Sequence, residues 1–465
     1  MKEKPMLREN ISFQPTGDPF VDAGGMALEH IAGQFPEKSL LELIEWAARI
    51  YVERWGTKLN SVFHGSPITH PTTAMKVRIP KNMELFKEIL SSRKNPGYCR
   101  YCGREDYLID AGRDKSCLSG SGTLVNFHHS HEPGLMICPQ CAVKYFFLPF
   151  GILQMGNLAL LQATSPQGKR YWLNKTVIEN LNKIGNNTSE GILKSVYSNP
   201  ENALFRLAAD IITENLSTEL DENLTLYYFT NFAASVDCAL HTIPSPVFRF
   251  MRLALKNCPQ QWYLFVRRHY HISKSNWNYS EDQWEQKGSV ISEDEYLNHK
   301  NDVHLKLLAG KSILSALQHF YKANYLHAKQ EMDTNMAIYY VQEVLNMQKE
   351  QILLIKKIGT KIFELMEKES NYKKYLVMIE GSTRAYQLRL ALIKIIKMNY
   401  QNGAEEPVFT IDEYVNYLFP DGQYWGEVRD LLLIFLYEKL HQNAINVAEI
   451  SDVELKETEE ISQGA

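Results

Sequence analysis

The residues of this chain best suited to chemistry are two cysteine pairs, Cys99-Arg-Tyr-Cys102 and Cys138-Pro-Gln-Cys141. Thiolates two residues apart can turn toward one tetrahedral metal, and a second such pair closes its shell. Both pairs sit in knuckle-like sequence, with Gly103 after Cys102 and Pro139 after Cys138. The spacing predicts a structural zinc site with Cys99, Cys102, Cys138 and Cys141 as its four sulfur ligands. The alternative is a set of reduced core cysteines. Such a site explains how one region folds and leaves the protein's activity open.

Cys117, His128, His129 and His131 lie between the pairs. One reading is a nuclease of the His-Asn-His kind, in which a four-cysteine site braces a ββα element whose histidines bind a catalytic metal and activate water. Those enzymes place Asn and then His beside the second cysteine pair, whereas here Cys141 is followed by Ala142 and Val143. An acidic residue directly before the histidines is also missing, since Asn126 and Phe127 stand there. Surface histidines on a metal-braced loop fit better.

Other segments carry weaker signals. Gly17 to Gly25 offers glycines that let backbone N–H groups approach an anion, but it has no Lys-Ser/Thr of a Walker motif. A structured turn with Asp18 and Asp22 as local caps is the more economical reading. Arg267 and Arg268 follow the aromatic run Trp262, Tyr263 and Phe265, a combination that suits stacked bases and phosphates. The competing reading is a core-facing aromatic strand with solvated arginines. Lys349 to Lys397 contains eleven Lys or Arg against five acidic residues. Lys373, Lys374, Arg384, Arg389, Lys394 and Lys397 could form a stripe there, or merely a wet face. No Ser-His-Asp order, paired-carboxylate motif or P-loop stands out.

The elements that must position these residues follow from periodicity. Leu40, Ile44, Ala47, Tyr51 and Trp55 recur at helical steps behind Pro36 and Ser39, predicting an amphipathic helix. Residues 56–80, with Pro67, Pro71 and Pro80, read as an extended loop carrying Lys58, Asn60, His64, Thr69, Lys76 and Arg78. Residues 145–161 are strongly apolar and would pack the cysteine module onto the body. Residues 172–330 read as mostly helical, with polar loops near 185–189 and 273–288. Beyond Asp333, Ile338 to Ile355 mark one helix, Leu388 to Ile396 another and Trp425 to Leu440 a third, as in a bundle. The fold class expected is mostly α, with a smaller α+β N-terminal part, a four-cysteine zinc-finger insertion and a C-terminal helical bundle. Four regions result: 1–97 as an N-terminal α+β region, 98–145 as the zinc module, 146–332 as a mainly helical middle and 333–465 as the bundle.

Bulk properties narrow the class. A hydrophobic share of 45% and a charged share of 22% are those of an ordinary globular protein. Residues 1–10 lack the apolar run of a signal peptide, and no stretch approaches the length of a membrane span. Seven cysteines, four of them in metal-type pairs, fit a reducing cytoplasm better than a disulfide framework. The net charge of -4 excludes a uniformly basic nucleic-acid binder, so any phosphate contacts must come from local patches. The stretch from Glu449 to Glu460 is acidic.

Thr16-Gly-Asp-Pro-Phe-Val-Asp-Ala-Gly24, Leu59-Asn-Ser-Val-Phe63, Ser66-Pro-Ile-Thr69 and the two cysteine pairs occur together in one order. That combination resembles the large subunit of type I CRISPR effector complexes (Cascade), in the zinc-containing type I-B branch. The resemblance covers the first 150 or so residues by motif, and the remainder by helical character alone. It implies a non-catalytic subunit that inspects the protospacer-adjacent motif on double-stranded target DNA and aids unwinding and R-loop formation, while guide RNA pairing reads sequence. The implied partners are the guide RNA, the backbone and handle-binding subunits, the small subunits, and an effector nuclease-helicase or transposition factor; no membrane is involved. The C-terminal bundle resembles the small subunit, with Met332, Met336 and Met347 placed for an internal start. On this reading the 58–78 loop, Arg267, Arg268 and the C-terminal basic residues are the expected nucleic-acid contacts. A zinc-containing scaffold with no nucleic-acid role is the plainer alternative.

Overall fold

The computed structural model describes residues 11–117, 134–230, 237–327, 332–419 and 425–447. It divides into two compact units, Met1–Ser245 and Pro246–Ala465, with the boundary inside the stretch read as 146–332. The protein is mostly helical, with short strands around the cysteines and a C-terminal set of helices. Among the described residues no helix is long and apolar enough to cross a membrane.

The first unit opens with α1 (Pro19–Gln34), capped by Asp18, whose carboxylate accepts from Phe20 N and Val21 N. Asp22 accepts from Thr16 N at 2.7 Å and Thr16 Oγ1 at 2.8 Å, locking the turn before the helix. Helix α2 (Leu40–Arg49) starts on a capping box between Ser39 and Glu42 and runs on as one wider turn through Arg54. Its periodic residues Leu40, Ile44, Ala47, Tyr51 and Trp55 are all buried.

The loop expected over 56–80 ends earlier, because α3 spans Met75–Ser91 with Pro80 inside it. Proline removes one backbone donor and normally marks a break. Here the buried Arg78 reaches back instead, donating from Nε to Thr73 O at 3.0 Å and from Nη2 to His70 O at 3.3 Å. That stitch ties the first turns of α3 to the loop before it. Lys76 and Arg78 are therefore helical residues.

Four short strands follow: β1 (Pro96–Tyr98), β2 (Glu105–Tyr107), β3 (Ile109–Ala111) and β4 (Leu135–Ile137), paired antiparallel as β1–β2 and β3–β4. Helix α4 (Pro139–Phe146) leads through a 3-10 turn into β5 (Leu153–Met155) and β6 (Asn157–Ala163). Then come α5 (Pro166–Leu173), α6 (Glu179–Gly185), β7 (Leu193–Lys194), α7 (Pro200–Glu214), β8 (Leu224–Thr230) and β9 (Asp237–Ile243). One sheet runs in the order β7-β5-β6-β8-β9, antiparallel except for β5–β7. Strands β8 and β9 lie where the sequence reads as helical. A seven-residue apolar run is ambiguous between the two states, and its Thr, Tyr and Phe content suits a pleated surface.

The apolar stretch 145–161 forms the centre of this unit, as its composition predicts. Tyr51 lies 5.3 Å from Phe146 and 5.2 Å from Phe150, and Phe86 lies 4.8 Å from Phe146. Four large aromatic side chains in this core have their polar atoms bonded: Tyr51 OH donates to Phe146 O, Tyr145 OH to Val62 O, Trp55 Nε1 to Ser189 Oγ and Trp172 Nε1 to Gly151 O.

The second unit begins with α8 (Ser245–Asn257) and α9 (Pro259–Arg268). Residues 273–288, expected as a loop, contribute instead to a three-stranded meander, β10 (Asn276–Asn278), β11 (Gln283–Gln286) and β12 (Ser289–Val290). Its turns use Asp282, Lys287 and Gly288 at positive φ, and the opposed Trp277 and Trp284 rings meet at 5.5 Å.

Helices α10 (Glu293–Tyr296), α11 (Asp302–Leu308), α12 (Leu314–Leu326), α13 (Asn335–Glu343), α14 (Lys349–Glu369), α15 (Tyr372–Glu380), α16 (Ala385–Gln401), α17 (Ile411–Glu413) and α18 (Trp425–Gln442) complete it. The helix expected over Ile338 to Ile355 is two, α13 and α14, because Asn346 turns the chain at φ 51°, within the left-handed region. Helix α18 is apolar nearly all round, as a central helix must be, and α12, α14, α15 and α16 pack against it.

One consequence of this packing is a pH response. Burial pushes the imidazole of His304 on α11 down from its ordinary 6.5 to about 3. The unfolded chain then binds a proton here before the folded chain does, so stability falls as pH drops from 6.5 toward 3. The cost should reach about 2 kcal/mol by roughly pH 5. Urea midpoints of the whole chain at neutral and mildly acidic pH should drop less for His304→Gln than for wild type; equal drops would remove His304 as the cause.

Candidate metal centre

Each cysteine pair owes its position to an adjacent strand. Cys99 and Cys102 occupy the turn between β1 and β2, closed by Cys99 N to Arg104 O at 2.9 Å and Gly103 N to Cys99 O at 2.9 Å. Gly103 takes φ 67°, a conformation a side chain at that position would resist. Strand β4 delivers Cys138 to the N-cap of α4, with Pro139 at its first helical position and Cys141 in its first turn. Arg100 N donates to Met136 O at 3.0 Å, and Cys138 N to Cys99 Sγ at 3.3 Å, tying the two turns together.

The four sulfurs lie within 4.8 Å of one another, and Cys102 Sγ stands 3.8 Å from Cys138 Sγ. A tetrahedron with metal–sulfur bonds of about 2.3 Å has edges of about 3.8 Å, so this cluster has the size of a metal site. None of the four is in a disulfide. Cys99, Cys138 and Cys141 are buried and Cys102 is half-buried. Hydrogen bonds from the Cys138 and Cys141 thiols pull the Cys99 thiol far down, while the bonds that Cys141 makes to Cys138 and Cys99 hold its own thiol up. The N-terminus of α4 adds a favourable dipole for thiolate character. The chemistry of the donor set is that of a closed, all-sulfur metal site.

Cys117 is buried but stands outside this cluster, and burial pushes its thiol up. His128, His129 and His131 lie outside the described residues.

The residues of the 58–78 stretch divide. Thr69 is fully buried, its hydroxyl donating to Phe63 O, and Arg78 is buried against the loop carbonyls. Neither faces an external ligand. His64 is half-buried, with its pKa lowered by burial and then by Arg113. Asn60 is half-buried and Lys76 is exposed, while Lys58 lies in a 3-10 turn, Gly56–Leu59.

Helix α9 replaces the strand considered for Trp262, Tyr263 and Phe265, with Trp262 and Phe265 turned into the core. Arg267 pairs with Glu293. The Arg268 side chain is only 7% exposed, paired with Asp282 at 3.1 Å. Its guanidinium lies 4.8 Å from the Phe320 ring centre, 5.2 Å from Tyr279 and 5.6 Å from Trp277. Arg268 is a core cation in an aromatic cage, closed to an outside phosphate.

The C-terminal basic residues also separate. Lys374 pairs with Glu369 at 3.0 Å, and Lys373, its half-buried neighbour, is engaged as well. Arg389 is half-buried over the Phe419 ring. Arg384, Lys394 and Lys397 are exposed, without an acidic partner among the described residues. Lys394 and Lys397 sit on α16, which contains no acidic residue, and Arg384 caps it. Tyr386, Leu390, Ile393 and Tyr400 on α16 are each 50–53% exposed. Sequence reading found the lysines and missed the tyrosines. The signal was there: positions 386, 390, 393, 397 and 400 share one helical face while Leu388, Leu392 and Ile395 occupy the buried one.

No family model, curated protein or solved structure matches this chain.

Proposed function

We propose that this chain is the non-catalytic large subunit of an RNA-guided DNA surveillance complex, reading a short motif on duplex DNA and helping to open it. The observation that carries the reading is the exposed surface of α16, where Lys397 shares a face with Tyr386 and Tyr400, Lys394 stands exposed at its side and Arg384 at the helix start, with no acidic residue on the helix. Tyrosine rings stack on bases of any sequence, and lysine and arginine neutralise phosphates. Such a face suits a strand displaced from a duplex. The cysteine site fits a supporting part, since four sulfur ligands fill a tetrahedral shell and leave no place for water or substrate. We take its metal to be zinc and the compartment to be the cytoplasm, where thiols stay reduced. Guide RNA, target DNA, the other Cascade subunits and an effector nuclease-helicase or transposition factor are the partners on this reading.

The test is reconstitution of the guide ribonucleoprotein with wild-type chain, without it, and with Arg384, Lys394 and Lys397 all changed to Gln. Motif-dependent duplex binding should need the chain. The triple variant should bind DNA about tenfold or more weakly, and its log–log salt slope should shrink by about 2. Equal binding with and without the chain would reject the function. An unchanged salt slope would show that α16 is only a wet surface.

A further inference from the structure

The first unit contains a cleft of about 540 Å³ that no part of the proposed function uses. Its walls come from α1, β6, α5 and the extended segment before Asp18, and they include Phe13, Pro19, Met26, Leu160 and Trp172. The volume falls within the range of small-molecule sites, which are mostly apolar with few polar groups.

Lys144 of α4 also lines it. This residue is 3% exposed, and its ammonium has one described acceptor, Gln14 O at 3.4 Å. An ammonium has three N–H donors, and a buried one with no counter-ion is costly. Neither carboxylate on the α1 wall supplies that counter-ion. Asp22 is held by Thr16 N, Thr16 Oγ1 and Gly17 N, and Glu29 is exposed. Lys169 lines the same cleft from α5, exposed and without an acidic partner among the described residues.

Gly25 shows that the fold makes room for this lysine. A Cβ there would stand 3.2 Å from Lys144 Cδ and 3.5 Å from Cε, so the bare glycine lets the stem lie flat along α1. The arrangement joins an apolar cleft, a buried cation with unfilled donors and a second cation from α5.

We propose that this cleft binds a small molecule bearing one anionic group, carboxylate or phosphate, on an apolar or flat body, with Lys144 meeting the charge. The proposal does not depend on the nucleic-acid reading, because it concerns a separate surface of the first unit and a free small molecule.

Calorimetric titration of the full chain with decanoate, with adenosine monophosphate and with inorganic phosphate tests it. One of the first two should bind in the micromolar range, which separates a lipid-like carboxylate from a nucleotide as the source. Inorganic phosphate should bind far more weakly, since it lacks the body. Lys144→Met keeps the stem and removes the charge, and should weaken binding about tenfold or more. Met26→Trp, which fills the cleft from its half-exposed wall and leaves Lys144 in place, should abolish it, so a misfolded Lys144 variant does not spare the idea. Failure of both decanoate and adenosine monophosphate to bind overturns the proposal. So does undiminished affinity in Met26→Trp or in a folded Lys144→Met chain.

Discussion

Cys99→Ser is expected to leave the purified chain without bound metal and to destabilise the first unit by roughly 4 kcal/mol or more. The reasoning starts from the way the two turns meet. Cys99 Sγ is a ligand candidate and also accepts from Cys138 N at 3.3 Å, so it joins the β1–β2 turn to the start of α4. Helix α4 in turn carries Tyr145 and Phe146 into the aromatic core, where Tyr145 OH reaches Val62 O. A metal held by both pairs thus fastens a module of three-residue strands to that core. Strands of that length cannot bury enough apolar surface to hold themselves together. Cys141→Ser should behave alike. Cys117→Ala is the control, because that buried thiol stands outside the cluster and its loss should leave the metal in place. Metal-to-protein ratio and melting temperature together decide the matter. Full metal content in Cys99→Ser, or its loss in Cys117→Ala, would mean the ligand set is different.

Gly24→Ala should destabilise the first unit by about 3 kcal/mol or more, although it adds a single methyl group. A Cβ built on Gly24 would lie 2.0 Å from Lys144 O, 2.8 Å from Lys144 C and 3.0 Å from Leu148 N. These are backbone atoms of α4 and the residues just after it, so no rotamer change can relieve the clash. Helix α1 would have to move away from α4, opening the contact beneath Ala23, Ala27 and Leu28, all buried. Gly33 on the same helix gives the internal comparison. Nothing lies within 4 Å of a Cβ there. Gly33→Ala should therefore be neutral or stabilising by about 0.5–1 kcal/mol, through helix propensity and a less free unfolded chain. Chemical denaturation of the two variants beside wild type reads both signs. If Gly24→Ala melts with wild type, the two helices do not touch backbone to backbone.

The cysteine spacing and the helix α2 pattern were legible because both are local. Two residues between thiolates set the turn whatever the rest of the chain does, and Ser39 with Glu42 forms its capping box from four consecutive residues. The outline of the terminal helices was legible for a similar reason, since Leu388, Leu392 and Ile395 recur at helical steps and α18 carries an apolar run too long for an ordinary strand. Misreadings came where distant residues decide. Pro80 looks like a loop marker until Arg78 ties the start of α3 to His70 O and Thr73 O. The run Leu224 to Thr230 fits helix or strand until β6 pairs with it, residue against residue from Leu158↔Phe229 to Ala163↔Leu224.

From sequence alone came the four cysteines, their metal chemistry, and a mostly helical chain with a basic stretch near its end. Residue type and short-range spacing suffice for those, because ligand geometry and helical period act over a few residues. Tertiary structure alone decided which charges are available. Arg268 looked like a surface cation and is caged among three rings, Thr69 and Arg78 are turned inward, and Lys144 is a buried cation lining a cleft. Burial is a property of what packs against a residue from elsewhere in the chain, and for a charged group it sets whether the charge meets an internal partner, water or a ligand.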